Sequence, residues 1–150
     1  MQFTGVYKMT DILTAIAAAD TLLETTASAD ASVVLIRAWC NPRGAVLDQI
    51  QEINVFINDA AGTGTSQTPT PLHEGYVAYG GTGRDVITVE GTTPTDIIED
   101  GYHVQNGWLY TPIPEEFIVI QPSSIIGIRF PIAPDAAMGI ACGMVFGEIG

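Results

Sequence analysis

The sequence predicts an all-β protein, a sandwich or barrel of short strands, and three observations carry that reading. Apolar residues alternate with polar ones in short runs instead of recurring at helical spacing. The runs are separated by clusters of Gly, Pro, Thr, Asn and Asp, the residue types that make turns. The prolines (Pro42, Pro69, Pro71, Pro94, Pro112, Pro114, Pro122, Pro131 and Pro134) fall mainly between the runs, where a missing amide hydrogen costs a sheet little.

The first run covers residues 3–10. The stretch after it has a different character: Thr10-Asp11-Ile12-Leu13-Thr14-Ala15-Ile16-Ala17-Ala18-Ala19 places an Asp ahead of strong helix formers, so a short helix is expected there. Strands follow at 21–26 and 32–40. In the second of these the even positions Val34, Ile36, Ala38 and Cys40 make one apolar face, and the odd positions Val33, Leu35, Arg37 and Trp39 make another nearly as apolar. A sandwich strand with one wet face alternates more cleanly, so the second face is expected to be covered, either by another segment of the chain or by a neighbouring subunit.

A strand at 49–58 leads into residues 59–83, where the composition shifts to Gly, Thr, Ser and Pro. A loop is expected there, long enough to have a function of its own or to lie along a partner. Runs at 86–90 and 101–105 flank an insertion-like stretch, 91–101, that carries Asp96, Glu99 and Asp100. The last runs are 116–120, 125–130 and 138–146. In the final one, Ile140, Cys142, Met144 and Phe146 point one way and Gly139, Ala141, Gly143, Val145 and Gly147 the other. Glycine weakens a strand by about 0.5–1 kcal/mol relative to alanine, so three at one parity imply close approach of something bulky. The candidates are Trp39 or Trp108 of the same chain or an element of a neighbour, and the neighbour is favoured. The candidate subunit interface is therefore Val33, Leu35, Trp39, Gly139, Ala141, Gly143 and Val145.

The 150 residues fit one domain, long enough to bury roughly 70% of the surface of the unfolded chain. Seventeen acidic residues against five basic ones give a net charge of −12, which repels phosphate backbones and anionic headgroups. Neither nucleic acid nor a membrane is an expected partner. Charged residues are 15% of the chain, against about 25% in soluble domains, and mean hydropathy is positive. That balance points to a subunit that hides apolar surface against copies of itself or a larger partner. No apolar run approaches the roughly 20 residues of a membrane span, and no basic region precedes one. Cys40 and Cys142 show no CxxC spacing and are expected as two reduced, buried thiols.

Catalytic and metal motifs are absent from the sequence. His73 and His103 belong to neither an HExxH nor an H-x-H pair. Glu115 and Glu116, adjacent on an expected strand, would point to opposite faces and cannot share a cleft. Asp96, Glu99 and Asp100 offer the hard oxygen ligands calcium takes but lack EF-hand spacing, and read as a solvated turn. Gly80-Gly81-Thr82-Gly83-Arg84 lacks the lysine of a phosphate cradle, and no serine has GxSxG context. No catalytic residue, metal ligand or cofactor is expected, and the chain is read as a non-enzyme. Trp108 and Tyr110 leave a second reading open, a carbohydrate-binding module that stacks sugars on aromatic rings.

Several segments carry a resemblance to a known group: Ala17-Ala18-Ala19-Asp20-Thr21-Leu22-Leu23-Glu24, Gln51-Glu52, the Gly, Thr and Pro run of residues 62–72, Asn106-Gly107-Trp108-Leu109-Tyr110-Thr111-Pro112-Ile113-Pro114-Glu115-Glu116, and the terminal Phe146-Gly147-Glu148-Ile149-Gly150. From about Ala17 onward the chain resembles small virion structural proteins of tailed bacteriophages, of the capsid decoration or cement type. The resemblance implies a jelly-roll-like antiparallel β-sandwich over residues 17–150, with residues 1–16 as an N-terminal arm or extra segment. It implies a protein made in the host cytoplasm and carried on the outer surface of the capsid. There a homotrimer would bridge adjacent copies of the major capsid protein. In the carbohydrate-binding reading the same jelly roll would serve a phage fibre or host-recognition structure.

Overall fold

The alternating runs become strands of two antiparallel sheets, six strands in each. The computed structural model describes residues 2–44, 48–92 and 94–150. In chain order the strands are β1 (Gly5–Ile16), β2 (Asp20–Thr26), β3 (Ser32–Arg43), β4 (Ile50–Asn58), β5 (Thr63–Gln67), β6 (Thr70–Pro71), β7 (Thr82–Val89), β8 (Thr95–His103), β9 (Trp108–Tyr110), β10 (Ile118–Ile120), β11 (Ile125–Phe130) and β12 (Met138–Ile149). Sheet A runs β10-β3-β12-β1-β6, with β9 also paired to β3, and sheet B runs β5-β7-β2-β11-β4-β8. Single 3₁₀ turns at Val104–Asn106 and Pro114–Glu116 precede β9 and β10. Among the described residues no helix is long and apolar enough to cross a membrane.

The pairing is nested. β1 pairs with β12 in sheet A, β2 with β11 in sheet B, β3 with β10 in sheet A, and β4 with β8 in sheet B. Each pair lies inside the previous one in sequence and on the opposite sheet in space, as when one long hairpin is rolled up. That is the topology of a jelly roll, so the expected fold class is the observed one. β5 and β7, inserted between β4 and β8, extend sheet B beyond β2, and β6 adds to β1.

The core lies between the sheets. Met138, Ile140, Cys142, Met144 and Phe146 of β12 face it from sheet A, and Leu23, Ile53, Val55, Ile126, Ile128 and Phe130 from sheet B. Each such side chain contributes about 1.5–3 kcal/mol when fully buried. Cys40 and Cys142 stand directly opposite each other on β3 and β12, both free and buried as the sequence suggests. Burial pushes the Cys40 thiol up to about 12, outweighing its contact with the Tyr102 hydroxyl at 3.3 Å, so it carries no thiolate near neutral pH.

Residues 5–16 are neither a helix nor an arm: they form β1, in register with β12 from Gly5–Glu148 to Leu13–Ile140. Helix propensities differ by only tenths of a kcal/mol, and burial of Tyr7, Met9 and Ile16 together with a full ladder overrides them. The sandwich therefore begins at Gly5 and not at residue 17.

The faces of β3 also differ from the expected alternation. Arg37 pairs with Val145 but Leu35 pairs with Phe146, so Ile36 is an extra residue, a bulge. Parity flips across it, and Val33 and Leu35 turn inward to join Ala38 and Cys40 in the core. Val33 and Leu35 are wholly buried and so cannot belong to a subunit interface.

Smaller differences follow from edge strands that bury little. Residues 59–83 hold β5, β6 and the start of β7, because Thr-Gly-Thr-Ser-Gln pairs through its backbone with β7 without needing apolar alternation. The acidic stretch expected as a turn is the first part of β8.

Charge is arranged unevenly through this frame. Burial raises the carboxyls of Asp20, Glu24 and Asp85; the charges of Glu90 and Asp11 add to this at Asp20 and Asp85, while Arg84 opposes it at Glu24. Burial also pushes Asp96 up, but its bonds to Arg129 and Asn54 outweigh that and hold it below the usual range. Between the ordinary carboxylate range near about 4 and the raised values, the folded chain binds more protons than the unfolded one, so stability falls as pH rises through that window. In chelator-containing buffer the urea midpoint is expected to be higher at about pH 5 than at about pH 8. Below about 4, protonation of Asp96 removes stability again. A midpoint climbing steadily from pH 5 to 8 contradicts this assignment.

Candidate interaction surface

Register decides what the outer face of sheet A presents, because directly opposed residues in a ladder share a face. One row across β1, β12, β3 and β9 is Thr10, Gly143, Trp39 and Leu109. The next is Lys8, Val145 and Arg37, and beyond it Val6, Gly147, Val34 and Val119. Ile12 and Ala141 lie on the other side of the Trp39 row, and Gly139 and Arg43 continue the face along β12 and β3.

The glycines of β12 have a reason within the chain. A Cβ at Gly143 would lie 2.2 Å from the Trp39 indole, and one at Gly147 would lie 2.3 Å from the Phe3 ring. The bulky approach implied by the sequence is therefore made by Trp39 and Phe3 of the same molecule, not by a neighbour at these two positions. The Arg37 guanidinium lies over the indole, its central carbon 5.0 Å from the ring centre, a cation–π contact. Around this centre Ile12 is 50% exposed, Leu109 64% and Val119 47%. A shallow groove of about 340 Å³ runs between Trp39, Ile12 and Ala141.

The face is also where the free positive charge sits. Of the five basic residues, Arg84 pairs with Glu24 at 3.5 Å and Arg129 grips both oxygens of Asp96 at 3.0 and 2.6 Å. Lys8, Arg37 and Arg43 are exposed on the outer face of sheet A, and among the described residues none has a carboxylate partner. Sheet B presents the opposite character, a groove of about 410 Å³ lined by Ile50, Glu52, Asn54, Glu99, Asp100 and Gly101.

The other residues singled out in the sequence do not converge. Asp96 is committed to Arg129, Asp100 accepts the Trp108 indole N–H at 2.9 Å, and Glu99 lines the groove. His103 meets Asp48 at 2.8 Å in an exposed pair, while His73 packs edge-on against Tyr76. Glu115 and Glu116 lie in an exposed 3₁₀ turn and not on a strand. Trp108 is only 5% exposed and stacks on Tyr110 at 6.3 Å, so its ring is not an open platform for a sugar.

Trp39, Gly139, Ala141, Gly143 and Val145 thus share one face, as their parity suggests. Lys8, Ile12, Leu109 and Val119 join them there, and only the strand order brings them in. Compared with protein-family models, with curated proteins and with solved structures, the chain matches none.

Seating Trp39 on bare backbone yields a direct test. Gly143→Ala should tilt the indole away from β12 and cost on the order of 1–3 kcal/mol of unfolding free energy, with a changed tryptophan emission. Unaltered stability and emission would mean that the indole does not rest there.

Proposed function

We propose that the chain is a structural protein that works by binding, a decoration or cement protein of a tailed-phage head, and that the outer face of sheet A is its docking surface. The observation that carries this reading is the segregation on that face: Trp39, Leu109, Ile12 and Val119 stand together with Lys8, Arg37 and Arg43 on a chain whose net charge is −12. Trp and Arg are the residue types that most often dominate interface energetics. The expected partner surface is an apolar seam edged with carboxylates on the major capsid protein. The acidic face of sheet B then looks outward to solvent, where like charge keeps particles apart.

A homotrimer suits this role. Docking of one subunit raises the effective concentration of the others at their sites, so modest contacts sum to firm attachment. The carbohydrate-binding alternative is less well supported, because Trp108 is buried.

Co-sedimentation with heads of the phage that encodes the chain, stripped of this protein, tests the reading. The wild type is expected to bind, Trp39→Ala and Arg37→Glu to weaken binding at least about tenfold, and Glu99→Gln on the opposite face to leave it intact. Absence of binding, or loss only with Glu99→Gln, contradicts it. Light scattering on the purified chain reports the trimer, and a mass of one chain at all concentrations would exclude it.

A further inference from the structure

Four buried side-chain oxygens among the described residues have no hydrogen-bond donor: Asp11 Oδ2, Gln67 Oε1, Asp85 Oδ1 and Glu148 Oε1. The fold brings the first three to one place. Asp11 stands opposite Cys142, a core residue, so its side chain turns inward from β1. Asp85 stands opposite Leu23, also core, and turns inward from β7, where it is 8% exposed. A Cβ on Gly83 would touch the Met9 thioether at 2.7 Å, which sets this part of β7 across the interior from β1. Two residues on from each, Asp11 and Asp85 lie on the inward sides of β1 and β7, and Val86 lines a groove with Leu13 and Thr14, so the two strands run alongside each other through this stretch. Gln67 is in register with Gly83, and its Nε2 donates to the Thr10 carbonyl at 2.7 Å, which orients the amide and leaves Oε1 without a donor. Asp11 Oδ1 already accepts from the Ile12 amide at 2.7 Å, so Oδ2 is the free end. Burial raises the Asp85 carboxyl, and the charge of Asp11 adds to the effect.

We propose that Asp11, Gln67 and Asp85 bind a divalent hard cation, with calcium the best fit, and that the ion clips β1 of sheet A to β5 and β7 of sheet B. The donor set is all oxygen, two carboxylates and an amide carbonyl, with no nitrogen or sulfur ligand. Two carboxyl groups supply the charge a divalent ion balances, and at Asp85 burial and the neighbouring charge of Asp11 disfavour the ionised form without one. Calcium accepts irregular mixtures of carboxylate, amide and water, whereas magnesium requires near-ideal octahedral geometry. Water and Thr65, which stands opposite Asp85 on β5, are available at the flank to complete the shell. The site is separate from the Asp96–Glu99–Asp100 stretch of β8 and does not depend on the docking role.

The test is calcium titration of the full chain after chelation and exchange into neutral buffer. Calorimetry is expected to give about one calcium per chain, and about 5 mM calcium to raise the thermal midpoint by about 3 °C, with magnesium giving less. Asp85→Asn should remove both responses, with Asp11→Asn as a second variant should the first fold poorly. Glu99→Gln, on the acidic groove, should keep them. The proposal is overturned if the wild type shows neither heat nor shift, or if Glu99→Gln abolishes the response while Asp85→Asn retains it. It is equally overturned if Asp85→Asn binds calcium as the wild type does.

Discussion

The ladder between β1 and β12 closes the start of the chain on its end, and the rest of the roll is wound within it. β12 is the strand most constrained by this arrangement, held between β1 and β3 with its even side chains in the core. Its odd positions are nearly bare, which lets the Trp39 and Phe3 rings lie against backbone on the outer face. One strand therefore sets both the packing between the sheets and the relief of the surface that faces away from them. A side chain at Gly143 would disturb the second without touching the first.

Much of the fold was legible because burial imprints a period on sequence. The core-facing side chains of β11 and β12 recur at every second residue, and the runs read for β2, β4, β11 and β12 matched the observed strands closely at most ends. Three features left no such imprint. The Ile36 bulge changes which parity faces in, and nothing in Val33-Val34-Leu35-Ile36 distinguishes the extra residue, since all four are apolar. β5 is an edge strand of Thr, Gly, Ser and Gln that pairs with β7 through its backbone and has no apolar side chain to set a period. The alanines after Thr14 favour a helix locally, but the long-range partner of β1 lies more than a hundred residues away, beyond any local window.

The candidate surface was legible to a similar degree and for the same reason. Small residues at one parity of β12 signalled a close approach, and Trp39 is the group that makes it. The company Trp39 keeps was not legible, because Lys8, Leu109 and Val119 reach its neighbourhood through the order of β1, β12, β3, β9 and β10 in the sheet. Charge behaves likewise. Counting gives −12, while the fold determines that Arg84 and Arg129 pair with carboxylates on sheet B and that Lys8, Arg37 and Arg43 on sheet A have no carboxylate partner among the described residues. The same closing of β1 over sheet B sets Met9 across from Gly83 and Gln67 against the Thr10 carbonyl, so a single long-range pairing underlies core, surface and flank alike.

Amide hydrogen exchange on the full-length chain tests that pairing most directly. If β1 is an integral strand, those amides of residues 5–13 that donate to β12 are expected to exchange as slowly as their partners there, in one cooperative unit that opens only with global unfolding. Rapid exchange of residues 5–13 while β12 remains protected would show that the N-terminal segment is a detachable arm, and would contradict the account of the fold given by the β1–β12 ladder.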